Sequence, residues 1–316
     1  MFAICIEASH LKGMGHLFRM LNFSNYLKKL NQEFIFIIND NDKTKEILSN
    51  HNLLFEVVYL DDYKSGWELD LIEKYSIKYW INDRLDTKID HTKYLVSKDI
   101  KIITFDDLGA GAENSNLNVC GLFFNNNSLE GKKVLKGTDY LILNSEIDDY
   151  KKVRHSLTNV LVTLGGSDTY CVTLKVLSLL KKFKIKATIH IGPSFNNLDV
   201  LKKELTDDYE FISFIPSLME EFSKYDLAIT GGGVTPFEAN ASGLPCLIIA
   251  NELFEIPNGS YLEDIGSSIF IGYHDTINET ILNNMNKINI HELSKNGLLK
   301  LNTNAVEKIY KEIVLL

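Results

Sequence analysis

Short apolar runs alternate with helical stretches along nearly the whole chain, and this alternation constrains the fold more than any other feature. It is typical of βαβ units, whose parallel strands are covered by helices on both faces and are therefore apolar without strict alternation. In the first half the pattern predicts strands over 2–6, 34–38, 53–59, 77–82, 101–105 and 139–143. The second half restarts it, with strands predicted over 160–164, 185–191, 209–213, 226–230 and 246–250. We therefore predict an α/β protein with two doubly wound, Rossmann-type sheets.

The chain length and one polar stretch indicate how these two halves are organised. At about 100 to 200 residues per domain, 316 residues predict two domains. The polar stretch 145–159 separates the two strand series, so we place the hinge there and predict domains over 1–152 and 153–316. A last helical pattern covers about 301–314, and the sequence does not indicate which of the two domains it packs against.

Charge and cysteine content exclude several classes of function. The 33 Lys and Arg residues are outnumbered by 42 Asp and Glu residues, and the formal net charge is −9. A general nucleic-acid binder that neutralises phosphates is therefore not expected. The four cysteines form no CxxC pair, and the histidines lack metal-ligand spacing. We expect reduced thiols, no metal site and no cofactor.

The N-terminal segment lacks the basic start and apolar stretch of a secretory signal. Apolar runs such as 34–38 and 246–250 are far shorter than the roughly 18 to 20 residues that span a bilayer. We therefore expect a cytoplasmic protein with no membrane span.

The first segment that carries chemistry is Gly13-Met14-Gly15-His16, between the first strand and a predicted helix. Glycines permit a close approach of the backbone, and the start of the helix offers unpaired N–H groups to an anion. His16 is expected at the carboxyl end of the sheet, where open α/β folds bind ligands and where a neutral imidazole is able to act as a general base. The alternative is a tight turn with an exposed histidine, and the motif alone does not decide between them.

Two further segments occupy the corresponding positions of the second half. Gly165-Gly166-Ser167-Asp168 leaves room for a sugar or phosphate, while Ser167 or Asp168 is also suited to cap a helix that begins near Thr169. We expect both roles. The turn at 231–235 precedes a helix with Pro236 near its first turn, and Glu238 is suited to accept hydrogen bonds from ribose hydroxyls. The alternative role of Glu238 is a favourable interaction with the helix dipole.

These segments resemble those of GT-B-type sugar-nucleotide enzymes. The spacing of Gly232, Thr235, Glu238, Gly243 and Pro245 is similar to the uridine-diphosphate half of the peptidoglycan N-acetylglucosaminyltransferase. Over most of the chain, the sequence resembles the UDP-sugar hydrolase of pseudaminic acid biosynthesis and the related spore-coat polysaccharide proteins. The matching segments are 13–16 with Arg19, 81–83, 105–107, 164–168 and Glu238.

The resemblance implies a GT-B-like fold in which two Rossmann-type domains face a central cleft, the first carrying the catalytic histidine and the second the nucleotide. We expect a monomer or weak dimer that binds a UDP-sugar. The catalytic candidates are His16, Asp83 and Asp107. The nucleotide-binding candidates are Gly165, Gly166, Ser167, Gly232, Gly233, Val234, Thr235 and Glu238. The substrate-binding candidates are Gly13, Gly15, Arg19, Asp106, Asn251 and Glu252.

Two departures from the hydrolases fall beside the expected sugar site. The hydrolases typically carry a tyrosine within two residues of the acidic residue after the fourth strand, whereas this chain reads Asp83-Arg84-Leu85-Asp86. Where they often have Asn-Gln, this chain has Asn251-Glu252. The resemblance therefore supports the nucleotide half better than the identity of the sugar. Asp106 and Asp107 are adjacent, so their side chains diverge and we expect at least one of them in the cleft.

Three functions follow from this sequence. The first is a hydrolase that releases UDP from UDP-2,4-diacetamido-2,4,6-trideoxy-β-L-altropyranose or a related deoxyamino sugar, in nonulosonic acid or surface polysaccharide biosynthesis. The alternative is a GT-B glycosyltransferase, which differs only in the nucleophile that His16 activates. A non-catalytic sugar-nucleotide binding protein is the third, because one scaffold hosts many functions.

Overall fold

The computed structural model describes residues 1–7, 15–62, 65–123, 129–165, 168, 170–192, 195, 198–213, 215 and 217–316. The chain divides into two compact units. The first contains Met1–Ile142 and Asn304–Leu316, and the second contains Leu143–Thr303. This division differs in two places from the predicted domains 1–152 and 153–316: the first unit ends ten residues earlier, and the C-terminal segment returns to it.

The first unit is built on a parallel sheet of seven strands. These are β1 (Phe2–Ile6), β2 (Phe34–Ile38), β3 (Phe55–Val57), β4 (Tyr79–Asp83), β5 (Lys101–Phe105), β6 (Leu117–Cys120) and β7 (Val134–Lys136). The sheet order is β3-β2-β1-β4-β5-β6-β7. The helices between the strands are α1 (Gly15–Lys29), α2 (Asp42–Asn50), α3 (Trp67–Tyr75) and α4 (Ile89–Ser97).

Both faces of this sheet are covered, which explains the uninterrupted apolar strands. Successive side chains of a strand point to opposite faces. In β1, Ile4 packs in one core with α1 residues such as Phe23, whereas Cys5 packs in a second core with Trp67 and Trp80. The prediction of a doubly wound sheet is confirmed for this unit.

The second unit contains a parallel sheet of six strands. These are β8 (Val160–Thr163), β9 (Ala187–His190), β10 (Tyr209–Ile212), β11 (Leu227–Gly231), β12 (Cys246–Ala250) and β13 (Ser268–Tyr273), in the order β10-β9-β8-β11-β12-β13. The helices of this unit are α5 (Val172–Phe183), α6 (Leu198–Glu204), α7 (Leu218–Phe222), α8 (Thr235–Ala241), α9 (Ile256–Asp264), α10 (Glu279–Asn283) and α11 (Ile290–Lys300).

The C-terminal helix, α12 (Ala305–Val314), belongs to the first unit. Its residues Ile309 and Ile313 are fully buried in the same core as α1. The ring of Tyr310 also contacts the rings of Phe2 and Tyr26. Of the two packing alternatives that the sequence left open, the structure therefore selects the first unit.

One predicted strand is wrong, and three strands were not predicted. Residues 139–143 do not form a strand, because a short 3-10 helix at Thr138–Tyr140 leads into an irregular segment whose apolar side chains are buried all the same. The unpredicted strands are β6, β7 and β13. Strands β6 and β7 are only four and three residues long, and Asn118 in β6 and the lysines that flank β7 interrupt their apolar pattern.

Within the described ranges, no helix combines the length and apolar character that a membrane crossing requires.

The polar stretch 145–159, predicted to be a hinge, lies in the second unit and contains a fully buried arginine. Arg154 donates to the backbone carbonyls of Tyr225 at 3.2 Å, Phe222 at 2.9 Å and Lys152 at 2.7 Å, and also to that of Ser242. The stretch is therefore fixed to the ends of α7 and α8. Composition gave no sign of this, because arginine is common in polar surface segments.

Candidate active site

Each sheet has a point at which its strand order reverses, and ligands of open α/β sheets bind in the crevice outside the strand ends at that point. In the first sheet the reversal lies between β1 and β4, where Ile6 pairs with Asp83. In the second sheet it lies between β8 and β11, where Thr163 pairs with Thr230. Most of the predicted site residues follow these four strands.

His16 and Asp83 meet at the reversal point of the first sheet. His16 is the second residue of α1, and Asp83 is the last residue of β4. Nδ1 of His16 lies 2.6 Å from Oδ1 of Asp83, which is fully buried, whereas the His16 side chain retains 12% of its exposure. The structure thus brings two of the three predicted catalytic residues into contact.

Arg19, one helical turn after His16, joins the two acidic segments. Its Nε donates to Oδ2 of Asp83 at 2.8 Å and its Nη2 to Oδ1 at 2.5 Å, a bidentate pair. Its Nη1 donates to Oδ2 of Asp106, and its guanidinium lies 5.3 Å from the centre of the Phe105 ring. We call His16, Arg19, Asp83 and Asp106 the His16 cluster. Arg19 was predicted to bind substrate, and here its donors are engaged by protein carboxylates.

The electrostatics of the His16 cluster keep the carboxyl group of Asp83 ionised. Burial acts to raise the pKa of Asp83, but the charges and hydrogen bonds of Arg19 and His16 outweigh it and lower the pKa to about 2. An ionised carboxylate accepts hydrogen bonds and donates none, so Nδ1 of His16 is the donor to Asp83. In neutral His16 this leaves Nε2 as the basic nitrogen.

Asp107, the third catalytic candidate, has a different environment from Asp106. Its Oδ1 accepts from the backbone N–H groups of Thr87 at 3.0 Å and Gly109 at 2.9 Å, and its Oδ2 accepts from the Thr87 hydroxyl. Burial raises the pKa of Asp107 and these hydrogen bonds partly offset it. The two side chains diverge as expected: Asp106 faces Arg19, while Asp107 fastens the loop after β5 to the loop after β4.

The glycine segment after β8 shows both an open turn and a helix cap. Gly165 adopts a left-handed φ of 96°, and among the described residues other than its chain neighbours no atom lies within 4 Å of where a Cβ would be, so these residues leave its backbone open. Asp168 accepts from the backbone N–H groups of Val172 at 2.7 Å and Thr173 at 3.0 Å. The capping role is thus confirmed for Asp168, at the start of α5. The candidates Gly13, Gly166 and Ser167 lie outside the described residues.

The glycine turn after β11 is in contact with the segment that follows β12. Oε2 of Glu255 accepts from the backbone N–H groups of Asn251 at 2.7 Å and Gly232 at 3.3 Å. A Cβ on Gly232 would lie 2.7 Å from the Cβ of Glu255, so close packing is one reason for glycine at this position. Asn258, fully buried, donates from Nδ2 to the carbonyl of Gly232 at 3.0 Å.

Glu238 lies in the first turn of α8 and is partly buried. Burial raises its pKa to about 7, and a hydrogen bond from the backbone N–H of Asn144 offsets only part of this effect. A carboxylate kept at such a position is a candidate functional group, since burial without an adjacent cation destabilises its ionised form. The neighbouring candidates Gly233, Val234 and Thr235 retain partial exposure or more, and are accessible to a ligand.

The sequence did not identify two side chains that shape this region. Glu255 forms a capping box with Glu252, and the spacing of three residues between two acidic side chains before a helix is a sequence signal for such a box. Tyr170 donates its hydroxyl to Oε1 of Glu252 at 2.8 Å and stacks on His274 with ring centres 4.2 Å apart. No local sequence pattern predicts the contact between Tyr170 and His274, because the two residues are about a hundred positions apart.

In the described part of the chain, no three His, Cys, Asp or Glu side chains are arranged to hold a metal ion.

Comparison with solved structures identifies the class of fold as GT-B. MurG of Acinetobacter baumannii superposes with a TM-score of 0.71 over 100% of this chain and 99% of its own. The spinosyn rhamnosyltransferase SpnG complexed with thymidine diphosphate gives 0.65 over 98% of this chain and 100% of its own. UDP-GlcNAc 2-epimerase from Neisseria meningitidis, bound to UDP-GlcNAc, gives 0.64 over 100% of both chains. Identity with each is 13%, so the likeness concerns the fold.

Two relatives are similar in sequence, and no family model matches the chain. The spore coat polysaccharide biosynthesis protein SpsG of Bacillus subtilis is 24% identical over 303 residues, covering 90% of this chain and 88% of SpsG. The uncharacterized protein MJ1062 of Methanocaldococcus jannaschii is 29% identical over 291 residues, covering 84% of this chain. The match spans only 59% of MJ1062. The chain is thus a homologue of a polysaccharide biosynthesis protein with the fold of GT-B glycosyltransferases.

Proposed function

We propose that this protein is a nucleotide-sugar-dependent glycosyltransferase whose general base is His16. The observation that carries the proposal is the 2.6 Å contact between Nδ1 of His16 and ionised Asp83 at the reversal point of the first sheet. This contact orients the imidazole and presents Nε2 as the proton acceptor, the arrangement that general-base catalysis requires. The GT-B fold of the rhamnosyltransferase supports the same class of reaction.

In the proposed reaction, Nε2 of His16 takes the proton of an acceptor hydroxyl as its oxygen attacks the anomeric carbon. The bond between that carbon and the diphosphate oxygen breaks, and the nucleoside diphosphate leaves with the electron pair. The imidazolium that forms is stabilised by Asp83. A positioned base of this kind contributes roughly 10² to 10⁴-fold to the rate.

The nucleotide is proposed to bind the second unit and to be a uridine diphosphate. Glu238 accepts hydrogen bonds from the ribose hydroxyls, while backbone N–H groups of Gly233 to Thr235 and the open turn at Gly165 approach the diphosphate. Nucleotide sugars or nucleoside diphosphates occupy two proteins of the same fold, the epimerase and the rhamnosyltransferase. Because Glu255 already accepts from Gly232, we assign the diphosphate mainly to the later amides of the turn.

A hydrolase is the second candidate, with water in place of the acceptor hydroxyl. It is favoured by one observation: residues of the segments shared with the pseudaminic acid hydrolases form the His16 cluster. The substrate is then UDP-2,4-diacetamido-2,4,6-trideoxy-β-L-altropyranose or a related deoxyamino sugar. Homology to a spore coat polysaccharide biosynthesis protein fits either reaction.

The two candidates are separated by measuring nucleotide release. Purified protein is incubated with candidate UDP- and CMP-sugars, with and without saccharide acceptors, and free nucleotide is quantified. Release that requires an acceptor identifies a transferase, and equal release without one identifies a hydrolase. Tight binding without release under any condition contradicts both and indicates a binding protein.

Glu238→Ala is expected to weaken UDP binding roughly 10- to 100-fold, since a hydrogen bond to a charged group contributes about 1.5–3 kcal/mol. Calorimetric titration of UDP into both proteins measures the difference. The matched control is Glu204→Ala, which removes an exposed glutamate of the same unit and is expected to leave affinity unchanged. Equal affinities of wild type and Glu238→Ala remove Glu238 from the site.

UDP affinity should also depend on pH through Glu238. Its pKa of about 7 means that the side chain is largely protonated at pH 6 and largely ionised at pH 8. The ionised form is the better acceptor for two ribose hydroxyls, so affinity rises with pH. The ratio of wild-type affinity to Glu238→Gln affinity cancels the titration of UDP itself. We expect this ratio to rise between pH 6 and pH 8, and a constant ratio contradicts the assignment.

A further inference from the structure

The His16 cluster contains one more carboxylate than its guanidinium neutralises. Asp83 and Asp106 each carry a negative charge, and Arg19, which contacts both, carries one positive charge. The two carboxylates are almost fully buried, so water screens them little. The cluster therefore has a net charge of −1 when His16 is neutral, and protonation of His16 makes it neutral.

Asp106 is held in place by the backbone and not by contact with His16. It follows the last residue of β5 with a left-handed φ of 49°, a conformation that Asp and Asn tolerate better than other residues with a Cβ. Its backbone N–H donates to the carbonyl of Val119 at 2.9 Å, and Asp107 fastens the loop that follows. Within the His16 cluster, its carboxylate accepts a hydrogen bond from Nη1 of Arg19.

We infer that Asp106 is a positioning residue for proton uptake by His16, acting through Arg19. The inference rests on the proposed function for its catalytic consequence, but its electrostatic basis stands on the geometry alone. Nη2 of Arg19 lies 3.4 Å from Nδ1 of His16, so an uncompensated guanidinium would oppose a positive charge on the ring. By accepting a hydrogen bond from Nη1, Asp106 offsets the charge of the guanidinium.

Without Asp106, Arg19 and Asp83 form a neutral bidentate pair, and such a pair attracts a proton to His16 only weakly. With Asp106, the same pair carries a net charge of −1, the condition under which a nearby imidazole gains basicity. Arg84, the residue after Asp83, forms its own ion pairs outside the cluster, with Glu7 at 3.5 Å and Asp61 at 3.4 Å. The Cys120 thiol on β6, beside Asp106, stays neutral because burial and that carboxylate raise its pKa, and Asp107 faces Thr87 and Gly109.

The test is a ¹⁵N NMR titration of the His16 ring in wild type, Asp106→Asn and Asp99→Asn. Asparagine is isosteric and tolerates the left-handed backbone, so the fold is retained. Asp99 is the matched control: it has a left-handed φ of 57°, its side chain is 96% exposed, and it precedes β5 at the opposite end of the strand. We expect the His16 titration midpoint to move to lower pH by roughly one unit in Asp106→Asn, and to stay in place in Asp99→Asn.

Two more variants test the direction of the change in the His16 midpoint and its dependence on the charge at position 106. Arg19→Gln removes the cation and leaves both carboxylates, so the His16 midpoint should move to higher pH. Asp106→Glu keeps the charge and should keep the wild-type midpoint. An Asp106→Asn midpoint equal to wild type overturns the inference, and if that variant does not fold, an unchanged midpoint in Arg19→Gln does so.

Kinetics then separate this inference from the proposed function. In Asp106→Asn we expect kcat to fall by a few-fold, and by roughly tenfold at most, with KM nearly unchanged, since a weaker base slows proton transfer. The acidic limb of log(kcat/KM) against pH should move to lower pH. A wild-type enzyme with no turnover on any nucleotide sugar refutes the proposed function, while the NMR midpoints still decide the inference.

Discussion

His16→Ala is expected to lower turnover by roughly 10² to 10⁴-fold, the usual contribution of a general base. Nδ1 of His16 donates to ionised Asp83, so the ring has one orientation and one basic nitrogen, and alanine removes both. UDP affinity should hardly change, because the nucleotide contacts are assigned to the second unit. Turnover of the true substrate and calorimetric UDP binding are to be measured on the same preparation.

The matched control is His51→Ala, which removes an exposed histidine of the same unit at the end of α2. It is expected to keep wild-type turnover. If His16→Ala also keeps turnover within a few-fold, His16 is only part of a turn and another residue activates the nucleophile. Asp83 and Asp107 are the next candidates, but a pKa of about 2 makes Asp83 a weak base, and both oxygens of Asp107 are engaged.

The sequence was sufficient to place His16 and Asp83 just after two predicted strands of the first sheet. Apolar runs identified β1 and β4, and the carboxyl ends of neighbouring parallel strands meet at one edge. Residues that follow those runs, His16 and Asp83, therefore had to lie close together once the strand order was known. Periodicity alone does not state which strands are neighbours, and the structure supplied that order.

Contacts between distant segments could not be predicted in the same way. Asp106 and Asp107 are adjacent and chemically identical, and only the path of the backbone after β5 sends one to Arg19 and the other to Thr87. The run 139–143 is apolar because it is buried, and burial alone does not distinguish a strand from an irregular segment. The position of α12 likewise depends on its apolar face finding the core of α1.

The second large effect is expected at Arg154, whose guanidinium donates four hydrogen bonds to backbone carbonyls. Phe222 is the last residue of α7, and Ser242 caps the end of α8. Carbonyls at helix C-termini lack intrahelical donors and carry partial negative charge, so a buried cation is well suited to them. Burial lowers the pKa of Arg154 to about 10, which still leaves the side chain charged near neutral pH.

Arg154→Met keeps the length and apolar stem of the side chain but removes every donor. Carbonyls that lose a buried partner incur a desolvation penalty, and breaking such an arrangement typically costs about 3–5 kcal/mol. We expect the free energy of unfolding of the second unit to fall by that amount and its Tm to fall by roughly 10 °C. Urea denaturation and calorimetry measure both quantities.

Lys151→Met is the control, because it removes a neighbouring cation whose side chain is 35% exposed and pairs with Asp148 at the surface. Exposed pairs contribute at most about 1 kcal/mol, so this variant should remain close to wild type. Arg154→Lys keeps the charge but reaches fewer carbonyls, and its stability should fall between those of Arg154→Met and Lys151→Met.

Amide hydrogen exchange locates the effect: the ends of α7 and α8 should lose protection first in Arg154→Met. If Arg154→Met is as stable as Lys151→Met, the polar stretch is not anchored through this side chain, and the backbone N–H of Arg154, which donates to the Ser294 hydroxyl, becomes the principal attachment.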